Sequence, residues 1–117
     1  MKRAPEPITD VIFRTWHRRP HNIIALFPGL TGSHDVDTCA SYMHVGQHST
    51  ADPLHVIHLS RAASYSEYKT LKSELEGPPY GYKLRVISRQ TKHHRLAREY
   101  ELSLITNPQE VSADETQ

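Results

Sequence analysis

Apolar and polar positions alternate with two different periods along this chain, and the changes of period mark its elements. Over residues 8–16, Val11, Phe13 and Thr15 fall on one side and Ile12, Arg14 and Trp16 on the other, which predicts a strand. The short apolar run 23–27, bounded by Asn22 and Pro28, predicts a second strand, close enough to the first for a hairpin with a longer loop. Residues 28–37 hold Gly29, Gly32, Ser33 and two aspartates and read as a loop. Residues 38–45 read as a third strand that Gly46 ends or bends. Residues 51–59 fit a short helix opening at Asp52-Pro53 equally with a strand through Leu54, Val56 and Leu59.

The period then lengthens. Tyr65, Tyr68, Leu71 and Leu75 recur at three- and four-residue spacing and predict a helix over 65–76. Ser64 and Glu67 supply a Ser-x-x-Glu capping box at its start, and Gly77-Pro78-Pro79 stops it. Alternation returns over 82–88, with Tyr82, Leu84, Val86 and Ser88 set against Lys83, Arg85 and Ile87, which predicts a strand. Residues 92–104 have helical character, since Leu96, Tyr100 and Leu104 lie four apart.

This order predicts an α+β fold: a small, mainly antiparallel sheet of three to four strands, one main helix packed on one face, and a second helix at the C-terminal end as an option. The organisation expected is a flexible arm over 1–7, a single α+β domain over 8–90, a basic extension with helical character over 91–105, and an acidic disordered tail over 106–117.

Composition narrows the picture. With 117 residues of which 37% are hydrophobic, the chain can build one small core and not two. No apolar run approaches the roughly 18 residues of a membrane-spanning helix, and the opening MKRAPEPITD lacks the apolar stretch of a secretory signal. A single cysteine excludes a disulfide within the chain, and a cytoplasmic setting is expected. Fourteen Lys and Arg against 13 Asp and Glu give a net charge of +1, and nine histidines make the chain more basic in mild acid.

Charge is uneven. Residues 83–98 carry Lys83, Arg85, Arg89, Lys92, Arg95 and Arg98 with no acid among them, and Arg14, His17, Arg18, Arg19 and His21 form a second cluster. Such a stretch suits phosphate or an acidic partner, and equally a solvated face. A nucleic-acid-binding reading uses Arg85, Arg89, Lys92, Arg95 and Arg98 on phosphates, with Trp16, Tyr80 and Tyr82 for stacking; the pI of about 8.0 is low for a dedicated binder.

Chemistry-bearing residues concentrate in 38–49, with Cys39, Ser41, Tyr42, His44, Gln47 and His48. A zinc site from Cys39, His44 and His48, completed by Asp35, Asp37, His55 or His58, has the right ligand types but poor spacing, because a five-residue step along a strand puts Cys39 and His44 on opposite faces. A thiol or hydroxyl nucleophile, Cys39 or Ser41 with His44 or His48 as base, meets the same objection and lacks a surrounding signature. A polar binding pocket is the third reading: Tyr42 and His44 share a strand face and lead into Gly46, Gln47 and His48, giving rings for stacking and several donors and acceptors. Against it stands a purely structural role, in which Gln47 and His48 tie down a neighbouring loop.

Several pieces occur together: Val11-Ile12-Phe13-Arg14, Ile24-Ala25-Leu26-Phe27-Pro28, Cys39-x-Ser41-Tyr42-x-His44-x-Gly46-Gln47-His48, Glu67-Tyr68-x-x-Leu71-x-x-Glu74-Leu75-Glu76 and Gly81-Tyr82-x-Leu84-x-Val86-x-x-Arg89. In order and spacing, over about residues 11–89, the chain resembles a group of small uncharacterised proteins of bacteriophages and other bacterial mobile elements. It departs from them at Tyr65, where related helices begin with Pro, in a longer connection over 77–80, and in the added basic segment and acidic tail. The resemblance carries no activity. It implies an accessory protein made inside a bacterium, so the function expected is non-enzymatic binding of a host factor or small ligand through Tyr42, His44, Gly46, Gln47 and His48, in counter-defence or host takeover. Nucleic-acid binding is the alternative, and a small metal-dependent or thiol hydrolase the second alternative. No cofactor is expected outside the zinc reading, no membrane partner is expected, and a homodimer stays open.

Overall fold

The computed structural model describes residues 8–16, 19–43 and 48–106, and of residues 19–21, 105 and 106 the backbone alone. The expected arm over 1–7, nearly all of the expected tail, and His44, Gly46 and Gln47 lie outside the described residues. Strands β1 (Thr9–Trp16), β2 (Arg19–Thr31), β3 (Cys39–Tyr42), β4 (His48–Ala51), β5 (Ser60–Ala62) and β6 (Leu84–Val86) alternate with helices α1 (Pro53–Leu59), α2 (Tyr65–Glu76) and α3 (Lys92–Thr106). The fold is α+β, and its sheet is larger than expected: six strands among the described residues, in the order β4-β3-β2-β1-β5, with β6 also on β1.

β1 organises the sheet. Ile12 to Thr15 pair antiparallel with Leu26 to Ile23 of β2. Its other edge is shared end to end: Arg14, Thr15 and Trp16 take β5 antiparallel, while Thr9, Asp10 and Val11 take β6 in parallel. The main chain confirms a common edge, because the carbonyls of Val11 and Phe13, two residues apart and therefore pointing the same way, accept from Ile87 of the β6 side and Ala63 of the β5 side.

Alternation sorts the side chains into two cores. Val11, Phe13, Ala25, Phe27 and Tyr42 pack under Leu71 and Leu75 of α2. Ile12, Ile24, Leu26 and Cys39 form a second cluster with Val56 of α1 on the opposite face. The sequence predicts helical cover on one face alone; the structure covers both. The reason lies in 51–59, which forms a helix rather than a strand: Asp52 caps it by accepting from the Leu54 and His55 amides, Pro53 fits the first turn, and Arg14 holds its far end by donating to the carbonyls of Ile57 and Ser60.

The second strand runs well beyond 23–27, through Pro28 to Thr31, because a bulge between Phe27 and Thr31 absorbs the proline. Beyond it Gly32 lies so close to the chain that a Cβ there would overlap the Cys39 carbonyl and the Thr50 hydroxyl. α2 keeps its expected limits, and the Glu67 carboxylate reaches back 2.8 Å to the Ser64 amide.

α3 folds against the end of β2 in an unexpected orientation. Its apolar stripe points outward, with Leu96 54%, Tyr100 68% and Leu104 49% exposed, and it buries Arg98 and Leu102 instead. The Arg98 guanidinium donates to the carbonyls of Pro28 (2.6 Å) and Val36 (2.9 Å) and to the Gln90 side chain (3.0 Å). The two carbonyls sit in and after the bulge, where strand pairing leaves such groups unmatched.

Arg98→Ala strips the donors from two carbonyls and should cost about 3 kcal/mol in urea unfolding, whereas Leu96→Ala, on the outward stripe, should cost less than about 1 kcal/mol. Equal losses from the two variants would contradict this orientation of α3.

Candidate functional site

The strand pairing places Tyr42 opposite His48, on the face that α2 covers. Tyr42 is fully buried, and its hydroxyl donates to the Glu74 carboxyl group of α2. Glu74 follows Leu71 by three residues, so it sits at the margin of the helix's buried stripe and faces the sheet. Tyr80 joins them from the turn after α2. That turn folds back on the helix end: Tyr80 and Gly81 amides donate to the Gly77 carbonyl, the Tyr82 amide donates to that of Leu75, and Gly81 takes a left-handed conformation (φ 65°) that suits glycine.

The rings of Tyr42, His48 and Tyr80 meet edge to face, with centroids 4.7, 5.3 and 5.2 Å apart for the three pairs. Such spacing leaves no room for a ligand between them. What the cluster offers is its rim: His48 is exposed and Tyr80 half-buried, over a Tyr42 ring locked from beneath. Of the five binding residues the sequence singles out, the structure therefore places Tyr42 and His48 together, and His44, Gly46 and Gln47 lie outside the described residues. Glu74 and Tyr80 are the members that a strand-by-strand reading leaves out, since one comes from α2 and the other from a turn.

Cys39 belongs elsewhere. It is buried in the second core with Ile12, Leu26 and Val56, and Ser41 shares that side, while His48 lies on the face of Tyr42. Desolvation pushes the Cys39 thiol up to about 11, only partly offset by Arg98. Neither Cys39 nor Ser41 is therefore positioned to react with His48 as base, and Cys39 and His48 cannot share a metal across the sheet. Among the described residues, no group of three or more His, Cys, Asp or Glu side chains gathers as metal ligands.

The basic stretch is dispersed by the fold. Arg98 is buried and bonded to carbonyls. Arg85 grips Asp10 through Nε (2.6 Å) and a second nitrogen (3.1 Å), and Arg95 pairs with Asp37 (2.6 Å) and Glu99 (3.4 Å). The remaining two of the five, Arg89 and Lys92, pair with no acid among the described residues.

Asp10 also meets His94, whose Nε2 lies 2.8 Å from its carboxylate. The Thr91 amide donates to His94 Nδ1 (2.9 Å), and an amide can only donate, so the ring proton sits on Nε2 and points at Asp10. Arg85 first, and His94 after it, hold the Asp10 carboxyl below its ordinary range against the effect of partial burial. The Thr91 hydroxyl is 3.3 Å from the same Nδ1, an order that superficially matches nucleophile, base and acid. Its lone pair is already taken by the main chain, so His94 closes the first turn of α3 in the manner of a capping box rather than acting as a base.

Comparison with known proteins gives no matching family model, no matching curated protein and no matching solved structure.

At pH 8, Cys39 should react with Ellman's reagent at least about 100-fold more slowly in the native protein than in urea. Equal rates would contradict the burial of this thiol.

Proposed function

We propose that this chain is a non-enzymatic binding protein, an accessory product of a phage or other bacterial mobile element, that engages a host factor or small ligand through the rim formed by His48 and Tyr80. The observation that supports this most is the three-ring cluster. A buried tyrosine tied to Glu74 holds two more accessible rings at fixed angles, and rigid aromatic side chains give contact area at low entropic cost. Enzymatic readings lose support from the same geometry, because the thiol and the serine of this segment are buried on the other side of the sheet. The nucleic-acid reading loses Arg98 to the interior and has Arg85 and Arg95 engaged by carboxylates. Counter-defence and host takeover are typical tasks of mobile-element products, the origin that the resemblance over about residues 11–89 suggests.

Immobilised wild-type protein should retain the same factor from bacterial lysate, or the same compound from a metabolite pool, in repeated quantitative mass spectrometry. His48→Ala and Tyr80→Ala, each with unchanged circular dichroism, should reduce that recovery at least about tenfold, the loss expected when a central aromatic contact is removed. Undiminished recovery by both variants would rule out the rim as the binding surface.

A further inference from the structure

β6 lies beside the start of β1 in a register that sets Arg85 next to Asp10, on the face of the sheet that carries Ile12 and Arg14. The chain then crosses residues 88–91 and enters α3, whose first turn brings His94 to the same carboxylate, 2.8 Å away. Between these segments a hollow of about 420 Å³ opens, lined by Arg85, Ser88, Arg89 and His93, with Asp10 and His94 at its base.

The groups at the base are already matched. Both Asp10 oxygens are taken, by two nitrogens of Arg85 (2.6 and 3.1 Å) and by His94 Nε2. His94 offers nothing else, since its other ring nitrogen accepts from the Thr91 amide. The groups at the mouth are unmatched. Ser88, Arg89 and His93 make no hydrogen bond or ion pair through their side chains among the described residues, and Arg85 keeps one terminal nitrogen without an acceptor there. The lining therefore presents an excess of donors and one uncompensated guanidinium charge, with no free carboxylate oxygen.

We propose that this hollow binds the phosphate group of a small phosphomonoester, held by Arg89 and the remaining Arg85 nitrogen, with His93 and the Ser88 hydroxyl completing the contacts. A guanidinium matches two phosphate oxygens at once, and the histidine and the hydroxyl supply donors for the others. A carboxylate ligand has only two oxygens and is satisfied by one arginine fork, which leaves His93 and Ser88 unused. A metal cation finds no free carboxylate. The volume falls within the roughly 300–1,000 Å³ of small-molecule sites, which gives the organic part of the ester room beside its phosphate. Tyr42 and His48 lie on the other face of the sheet, under α2, so the hollow is separate from the rim and stands independently of the function proposed for it.

Calorimetric titration of the full chain with O-phosphoserine, glucose 6-phosphate, inorganic phosphate, serine and a short single-stranded oligonucleotide tests this. At least one of the two esters should bind with a Kd below about 1 mM and no more weakly than inorganic phosphate, and serine should not bind. Arg89→Ala and His93→Ala, both at exposed positions and each with unchanged circular dichroism, should weaken ester binding at least about tenfold and about threefold respectively. Lys69→Ala removes an exposed positive charge from α2 and should leave the affinity within about twofold. The proposal is overturned if neither ester binds at about 1 mM, if inorganic phosphate binds more tightly than both, or if serine binds as well as O-phosphoserine. It is equally overturned if Arg89→Ala and His93→Ala leave binding unchanged, if Lys69→Ala weakens it as much as Arg89→Ala, or if the oligonucleotide binds and the esters do not.

Discussion

A sheet covered on both faces leaves β1 and β2 no side that can remain polar. α2 lies over Val11, Phe13, Ala25 and Phe27, and α1 over Ile12, Ile24 and Leu26. A polar group entering either layer must bring its partner, because burying it unpaired costs on the order of 1–3 kcal/mol. The described residues obey this throughout: no buried side-chain nitrogen or oxygen lacks a hydrogen-bond partner. The pairs that result, Tyr42 with Glu74, Arg98 with the Pro28 and Val36 carbonyls, and Asp10 with Arg85 and His94, are also what fixes the sheet's attachments.

Each pair joins segments far apart in sequence. Tyr42 and Glu74 bind the sheet to α2 and so orient Tyr80 and His48. Arg98 anchors α3 at the bulge of β2, and Asp10 ties the start of α3 to β1 and β6. The candidate rim is therefore a by-product of how the polar groups are satisfied.

The parts legible in the sequence are those set by local pattern. Alternation in β1 assigns Val11, Phe13 and Thr15 to one face and Ile12, Arg14 and Trp16 to the other, and α2 follows from its stripe, its cap and its prolines. Illegible parts depend on tertiary pairing. Only three residues of β6 pair, and they do so in parallel with a strand some 75 positions earlier. The Leu96, Tyr100 and Leu104 stripe points away from the core because Arg98 and Leu102 occupy the inward face, a choice made by carbonyls in a bulge rather than by hydropathy. In the candidate site, Tyr42 and His48 stand out in the sequence because they lie in one segment, whereas Glu74 and Tyr80 arrive from elsewhere.

The most direct test of this account is a double-mutant cycle on Tyr42→Phe and Glu74→Gln, read by equilibrium unfolding. If the buried hydroxyl and the carboxyl group act as one unit, the cycle should give a coupling of about 1 kcal/mol or more. Additivity within about 0.3 kcal/mol would contradict the claim that this pair holds the sheet to α2 and sets the ring cluster.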